Sequence, residues 1–301
     1  MRTTYQTTNG TGLDRDCLPM RLWEKAKKYG IWNPAEIDFS QDKIDFLALN
    51  ENESRFLMQA ISQFQAGEEA VTLDLLPLIM AVAKEGRLEE EMFLTSFLWE
   101  EAKHVDGFSR FISEVTTYGD TSHESLHVPS YSLIFNELLP DALSALVVDP
   151  SPINQVRAST TYNMIVEGVL AETGYYGLFK VLDSRGIFPG LRTFIGKLKQ
   201  DESRHIAYGI YLISRLVAEN GQEVWEAFED QMNKLLMPAM QVVSETYGQY
   251  ETVPFGIDVA DLSNYAMGQF QKRLARVEKA RNQSLEEINS DLLKTDSAGE
   301  S

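Results

Sequence analysis

The 301-residue sequence is short of several things. It has one cysteine, Cys17, so no disulfide can form within the chain and the thiolates of a structural zinc site are missing. Long apolar runs are absent. The longest, Leu75 to Ala83, is far too short to span a bilayer, so no transmembrane helix is expected. The N-terminal stretch MRTTYQTTNGTGLDRD lacks the apolar core of a secretory signal. Basic residues number 27 against 45 acidic ones, and the net charge of −18 argues against a nucleic-acid binder and against an anionic membrane surface as a resting place. Together these absences predict a protein of the reducing cytoplasm. Convincing strand patterns are also missing, which points to an all-α fold.

What is present is helical periodicity. The spacing of apolar residues and the Gly, Asn and Pro punctuation predict helices over Met20–Tyr29, Ser40–Leu49, Asn52–Glu85, Leu88–Tyr118, Tyr131–Val147, Ile153–Ser184, Leu191–Glu219, Glu223–Tyr247 and Asp258–Arg281. Pro238 is the expected kink of the eighth. Gly119 to Ser130 reads as a loop. Residues 1–285 are expected to form one helical domain, and the polar segment 286–301 a disordered tail.

Two short motifs stand out on this frame. Glu101-x-x-His104 and Glu202-x-x-His205 each place a carboxylate and an imidazole side by side on a helix face. Each pair is the polar exception on an otherwise apolar stripe: Leu94, Phe97, Phe108, Phe111 and Val115 in the first case, Ile195, Leu198 and Leu212 in the second. On the preceding helix, Glu68 is the only polar member of a row from Leu57 to Val82, whereas Glu69 falls on a mixed row. Glu100 shares a row with Ser96, Lys103 and Gly107 and reads as a solvated flank. On the helix Ile153–Ser184, periodicity leaves Glu167 and Glu172 both open. Spacing favours Glu167: it precedes Glu202 by 35 residues, as Glu68 precedes Glu101 by 33, against 30 for Glu172. Two hairpins of nearly equal span, each presenting Glu and then Glu-x-x-His, predict a pseudo-symmetric four-helix core.

Four carboxylates and two imidazoles in an apolar bundle are too costly to bury bare. A pair of divalent cations resolves the cost. The ligand set is hard to borderline and suits iron or manganese, and six protein ligands leave positions open for oxygen, water or another ligand. His123 and His127 fall in the loop without a partnered acid and are expected to be solvated.

These residues resemble the small subunit (R2) of class I ribonucleotide reductase. More closely, Trp32-Asn33-Pro34-Ala35-Glu36-Ile37-Asp38-Phe39, Ala66-Gly67-Glu68-Glu69-Ala70-Val71-Thr72 and Glu100-Glu101-Ala102-Lys103-His104 resemble the R2-like ligand-binding oxidases. The resemblance covers about Trp32 to Val217. It implies a ferritin-like four-helix bundle with additional helices, a manganese/iron centre assembled with O2, and a long-chain fatty acid bound by its carboxylate at the metals. It implies manganese at Glu68, Glu101 and His104, iron at Glu167, Glu202 and His205, and Glu101 as the bridge. Asp201 would then hold the first-site histidine, and Tyr162 and Val71 would form an ether crosslink. From sequence alone Tyr162 reads as packing, because it lies off the helical row of Glu167. A homodimer is expected from the family and from the frequency of two-fold symmetry.

The chain departs from the R2 pattern at two points. The position where R2 stores a tyrosyl radical, four residues after the first-site histidine, is Phe108, and no tyrosine follows Tyr265. Both departures argue against nucleotide reduction, which stays as the alternative. A ferritin-like storage protein and a fatty-acid desaturase are the other readings.

Overall fold

The structure, a computed structural model, describes residues 5–117 and 126–298. Among them there are helices and no strands. In order they are α1 (Leu18–Tyr29), α2 (Ser40–Leu47), α3 (Glu51–Lys84), α4 (Leu88–Val115), α5 (Pro129–Leu133), a π-helical turn (Ile134–Leu138), α6 (Leu139–Val148), α7 (Pro152–Ser159), a π-helical segment (Thr160–Ala171), α8 (Glu172–Arg185), α9 (Pro189–Asn220), α10 (Gln222–Gly248), α11 (Val259–Ala280) and α12 (Leu285–Ala298). The long helices α3, α4 and α9 form the core with the π segment and α8. The helix α1 covers α4 and α9, while α10 and α11 cover the π segment.

Local chemistry sets the helix ends. Asn50 and Glu53 form a reciprocal capping box at the start of α3. Gly186, at φ +65°, ends α8 in the left-handed conformation that favours glycine. The start of α9 is capped from elsewhere: buried Asp42 on α2 accepts from the N–H groups of Gly190 (2.9 Å) and Leu191 (2.6 Å), and Asp45 from that of Phe188 (2.7 Å). Those carboxylates at the positive end of α9 fix the axial position of the second Glu-x-x-His motif.

Two expectations are corrected. The segment expected to be a disordered tail carries α12, which packs on α9 and α1 and buries Ile288. The predicted helix Ile153–Ser184 is not uniform, since twelve of its residues are π-helical. Pro129–Val148 has the length and apolarity of a membrane span, at mean hydropathy 1.3, which no single apolar run reveals. Its Leu139, Leu143 and Leu146 are buried, and α6 packs on α3 and α7. The predicted end of the fourth helix at Tyr118, and His123, lie outside the described residues.

The apolar core consists of two large clusters, and the acidic residues lie at their seam. On α3, Glu68 separates Phe64 from Val71. On α4, Glu101 and His104 separate Phe97 from Phe108, and on α9 Glu202 and His205 separate Leu198 from Ile206. Apolar layers above and below exclude water from the level at which the carboxylates meet.

Candidate metal centre

Six of the residues singled out from the sequence converge. Glu68, Glu101, His104 and Glu202 offer ligand atoms within 4.8 Å of one another, and so do Glu101, Glu167, Glu202 and His205. All are buried. Both imidazoles turn Nδ1 inward: His104 Nδ1 lies 3.3 Å from Glu68, 3.5 Å from Glu101 and 3.7 Å from Glu202. His205 Nδ1 lies 3.1 Å from Glu101, 3.5 Å from Glu167 and 3.6 Å from Glu202. Glu101 and Glu202 each send one oxygen toward each histidine. Glu202 is therefore placed to bridge as well as Glu101.

Glu167 and not Glu172 joins the cluster; Glu172 is half-buried and accepts from the Tyr265 hydroxyl. Glu69 is exposed. Glu100 is the site residue that the sequence reading missed. Far from solvated, it is fully buried, and its Oε2 lies 2.9 Å from His205 Nε2 while its Oε1 accepts from Arg204 at 2.6 Å. Asp201 stands in the same relation to His104, with Oδ2 at 3.3 Å from Nε2, and also accepts from Trp32 Nε1, Lys103 and Arg204. The Lys103 ammonium sits over the Trp32 and Trp99 rings at 4.1 and 4.4 Å. His127 is half-buried and hydrogen-bonded with Ser62 at 2.9 Å, not solvated.

The donor set fits a pair of cations. Both oxygens of Glu101, Glu167 Oε1, Glu202 Oε2 and His205 Nδ1 are buried without a hydrogen-bond partner, and all belong to the cluster. Outer carboxylates on both Nε2 atoms hold a proton there, so Nδ1 is the nitrogen that would give up its proton to a metal. With oxygen and imidazole donors and no thiolate, the set suits iron or manganese.

Electrostatics agree. Burial raises the Glu68 carboxyl to about 8 against the opposing pull of His104. Burial and the Glu202 charge push Glu167 well above the ordinary carboxylate range. Burial also works on Glu101, but His104 and His205 outweigh it and hold that carboxyl low. Both imidazoles go the other way: burial lowers them, yet the surrounding carboxylates carry them well above their usual value. Four acids sharing two protonated imidazoles lack positive charge, which divalent cations would supply.

Tyr162 is fully buried, and its hydroxyl lies 3.5 Å from the Val71 carbonyl oxygen. In an α-helix its five-residue offset from Glu167 would turn the two about 140° apart. Both belong to the π segment, whose wider turn closes much of that angle. A cavity of about 980 Å³, counted to its open mouth, runs from Phe56 and Tyr247 to Glu68, Glu101, Glu167 and Glu202.

Comparison with known proteins agrees with this geometry. The family model "Ribonucleotide reductase, small chain" matches residues 20–278. Solved structures of R2-like ligand-binding oxidases superpose closely. A tyrosine-to-phenylalanine variant with anaerobically reconstituted Mn/Fe cofactor is 41% identical, with TM-score 0.86 over 92% of this chain and 98% of that one. The oxidase from Sulfolobus acidocaldarius is 37% identical, with TM-score 0.86 over 96% and 99%. The chain belongs to the ribonucleotide reductase small-chain family, among the R2-like ligand-binding oxidases. As a member of these oxidases it is an oxidoreductase with a dinuclear site. Phe108, one helical turn after His104, packs on Phe64 and Phe194 at 5.5 and 4.8 Å between ring centres.

Proposed function

We propose that this chain is an oxygen-activating oxidase holding one manganese and one iron, manganese at Glu68, Glu101 and His104 and iron at Glu167, Glu202 and His205. A long-chain fatty acid lies in the cavity with its carboxylate at the metals. The reaction within the protein joins the Tyr162 oxygen to the Val71 side chain in an ether, with loss of the phenolic and one C–H hydrogen; the two electrons released go to O2, and the divalent metal pair would give it the other two needed to reach the water level. The metal pair supplies oxygen binding and cleavage. The protein's own residues do the rest. Apolar layers keep water away, and Asp201 and Glu100 aim the imidazoles.

The observation that carries this reading is the Tyr162 hydroxyl 3.5 Å from the backbone oxygen of Val71, a residue that lines the cavity reaching the carboxylates. Peptide mass spectrometry after aerobic metal loading tests it. A joined peptide pair around Val71 and Tyr162, lighter by two hydrogens, is expected. Separate, unmodified peptides from fully loaded protein would overturn it.

The same reading includes a cytoplasmic homodimer. An exposed apolar row on α3, Leu73, Leu76 and Met80, supports a second copy. A small subunit for nucleotide reduction is the second reading, favoured by the hydrogen-bonded path from Trp32 through Asp201 to His104. It requires activity on mixing with a large subunit.

A further inference from the structure

The cavity is lined mostly by apolar side chains, yet three of its lining residues carry a buried polar atom with no hydrogen-bond partner: Gln63 Nε2, Thr173 Oγ1 and Thr246 Oγ1. Thr173 and Thr246 are only 4% and 7% exposed. This is not how helical threonines behave elsewhere in the chain. Thr72, Thr160, Thr161 and Thr193 each donate to the carbonyl four residues back, at 2.6 to 2.9 Å. A buried hydroxyl or amide without a partner is destabilising, and such groups in native proteins point to something they are meant to meet.

The three belong to cavity-lining residues on different helices, α3, α8 and α10. Gly174, next to Thr173, packs so tightly on Phe64, next to Gln63, that an added Cβ would lie 2.6 Å from the ring. Gln63 and Thr173 are thus at one level of the bundle. That level is not the metal end: Gln63 precedes Glu68 by about 7.5 Å of helix rise, and the cavity continues to Phe56, about 18 Å from Glu68 on the same measure. A ligand whose carboxylate sits at the metals would present the middle of its chain here.

We infer that the preferred ligand is a long-chain fatty acid carrying an oxygen substituent in mid-chain, a hydroxyl or keto group recognised by Gln63, Thr173 and Thr246. This rests on the fatty-acid reading above. An amide N–H donates to either group, and a threonine hydroxyl can donate to a ketone or accept from an alcohol. A saturated chain would leave all three unmet.

The test is titration calorimetry on the metal-loaded full chain with hexadecanoate and with hexadecanoates bearing one hydroxyl at successive mid-chain carbons. At least one isomer should bind roughly tenfold more tightly than hexadecanoate, the gain from one or two net hydrogen bonds. In the double variant Thr173→Val with Thr246→Val, the ratio between that isomer and hexadecanoate should fall to near one, while Thr173→Ser alone should keep it. If hexadecanoate and every isomer bind the wild-type chain equally, water satisfies these groups and the inference is overturned, with the fatty-acid reading intact. If none of the acids binds, the fatty-acid reading fails with it.

Discussion

Glu100 offers the sharpest test of how the centre is held. Its Oε2 lies 2.9 Å from His205 Nε2, a charge-assisted hydrogen bond that fixes the tautomer and the ring of one metal ligand and of no other. Such a bond contributes about 1.5–3 kcal/mol, and loss of an outer partner of a ligand histidine weakens metal binding by roughly 10–100-fold, or about 1.4–2.7 kcal/mol. Glu100→Gln keeps an acceptor and the volume, so it should cost roughly tenfold. Glu100→Ala also strips Arg204 of a buried partner at 2.6 Å and should lie at the upper end. The loss should fall on the Glu167, Glu202 and His205 side, because His104 is held separately by Asp201. Competition against a chromophoric chelator, resolving two affinities, measures this. Asp201→Asn serves as the mirror control, weakening the other site. Two unchanged affinities in Glu100→Ala, or a loss confined to the Glu68, Glu101 and His104 side, would refute the assignment.

Metal loading should release protons. His104 and His205 are raised above their usual values and Glu68 to about 8, so at pH 7 all three hold protons that cations must displace. Apparent affinity should therefore rise as pH is raised through neutrality and through about 8, where Glu68 gives up its proton. Calorimetry in buffers of different ionisation enthalpy counts the protons, and a count of zero contradicts the scheme. Gly67→Leu should narrow the cavity, because even a Cβ there would lie 3.3 Å from the Phe135 ring and 3.5 Å from the Tyr131 hydroxyl. Fatty acid recovered by solvent extraction should drop several-fold, with two metals still bound. Gly209→Ala would bring a Cβ to 2.2 Å from Asn163, whose amide donates to Glu167 Oε2 at 2.9 Å. Overpacking there should cost about 1–3 kcal/mol, seen as a lower melting temperature, with metal lost first from the Glu167 side.

Much of this site could be read directly because a buried acid on an apolar stripe violates helical periodicity, and a violation at a constant phase is informative. Glu68, Glu101, His104, Glu202 and His205 were legible in that way. Glu167 needed the spacing of the two hairpins, since its helix is π-wound and α-helical phase could not separate it from Glu172. The same winding hid Tyr162. Glu100 was misread because its row, with Ser96 and Lys103, is polar; the structure covers that face with α1 and α9 and pairs its charges. A signal for it was nevertheless present. Glu100-Glu101-x-Lys103-His104 and Asp201-Glu202-x-Arg204-His205 both place an acid before the ligand Glu and a base before the ligand His. The outer acids are exchanged between helices: Asp201 of α9 serves His104 of α4, and Glu100 of α4 serves His205 of α9.

That exchange locks α4 to α9 and leaves the chemistry to the opposite wall, where two phenols border the carboxylates. Burial holds both well above the ordinary phenol range, so neither ionises at neutral pH. They differ in what their oxygens face. The Tyr175 hydroxyl donates to Glu68 at 2.7 Å, so its oxygen is turned to a carboxylate. The Tyr162 hydroxyl has only a long contact with the Val71 carbonyl, and its ring is held edge-on by Phe97, 5.7 Å away. Loss of a hydrogen atom from Tyr162 therefore breaks no short hydrogen bond, and under the proposed function its oxygen, 3.5 Å from the Val71 backbone oxygen, would then bond to the side chain of that residue. Phe108, walled by Phe64 and Phe194, offers no phenol in competition. Under the proposed function, the division of labour between the walls directs oxidation to Val71: one wall is built of paired charges that orient ligands, the other of a phenol whose one long hydrogen bond is to Val71 itself.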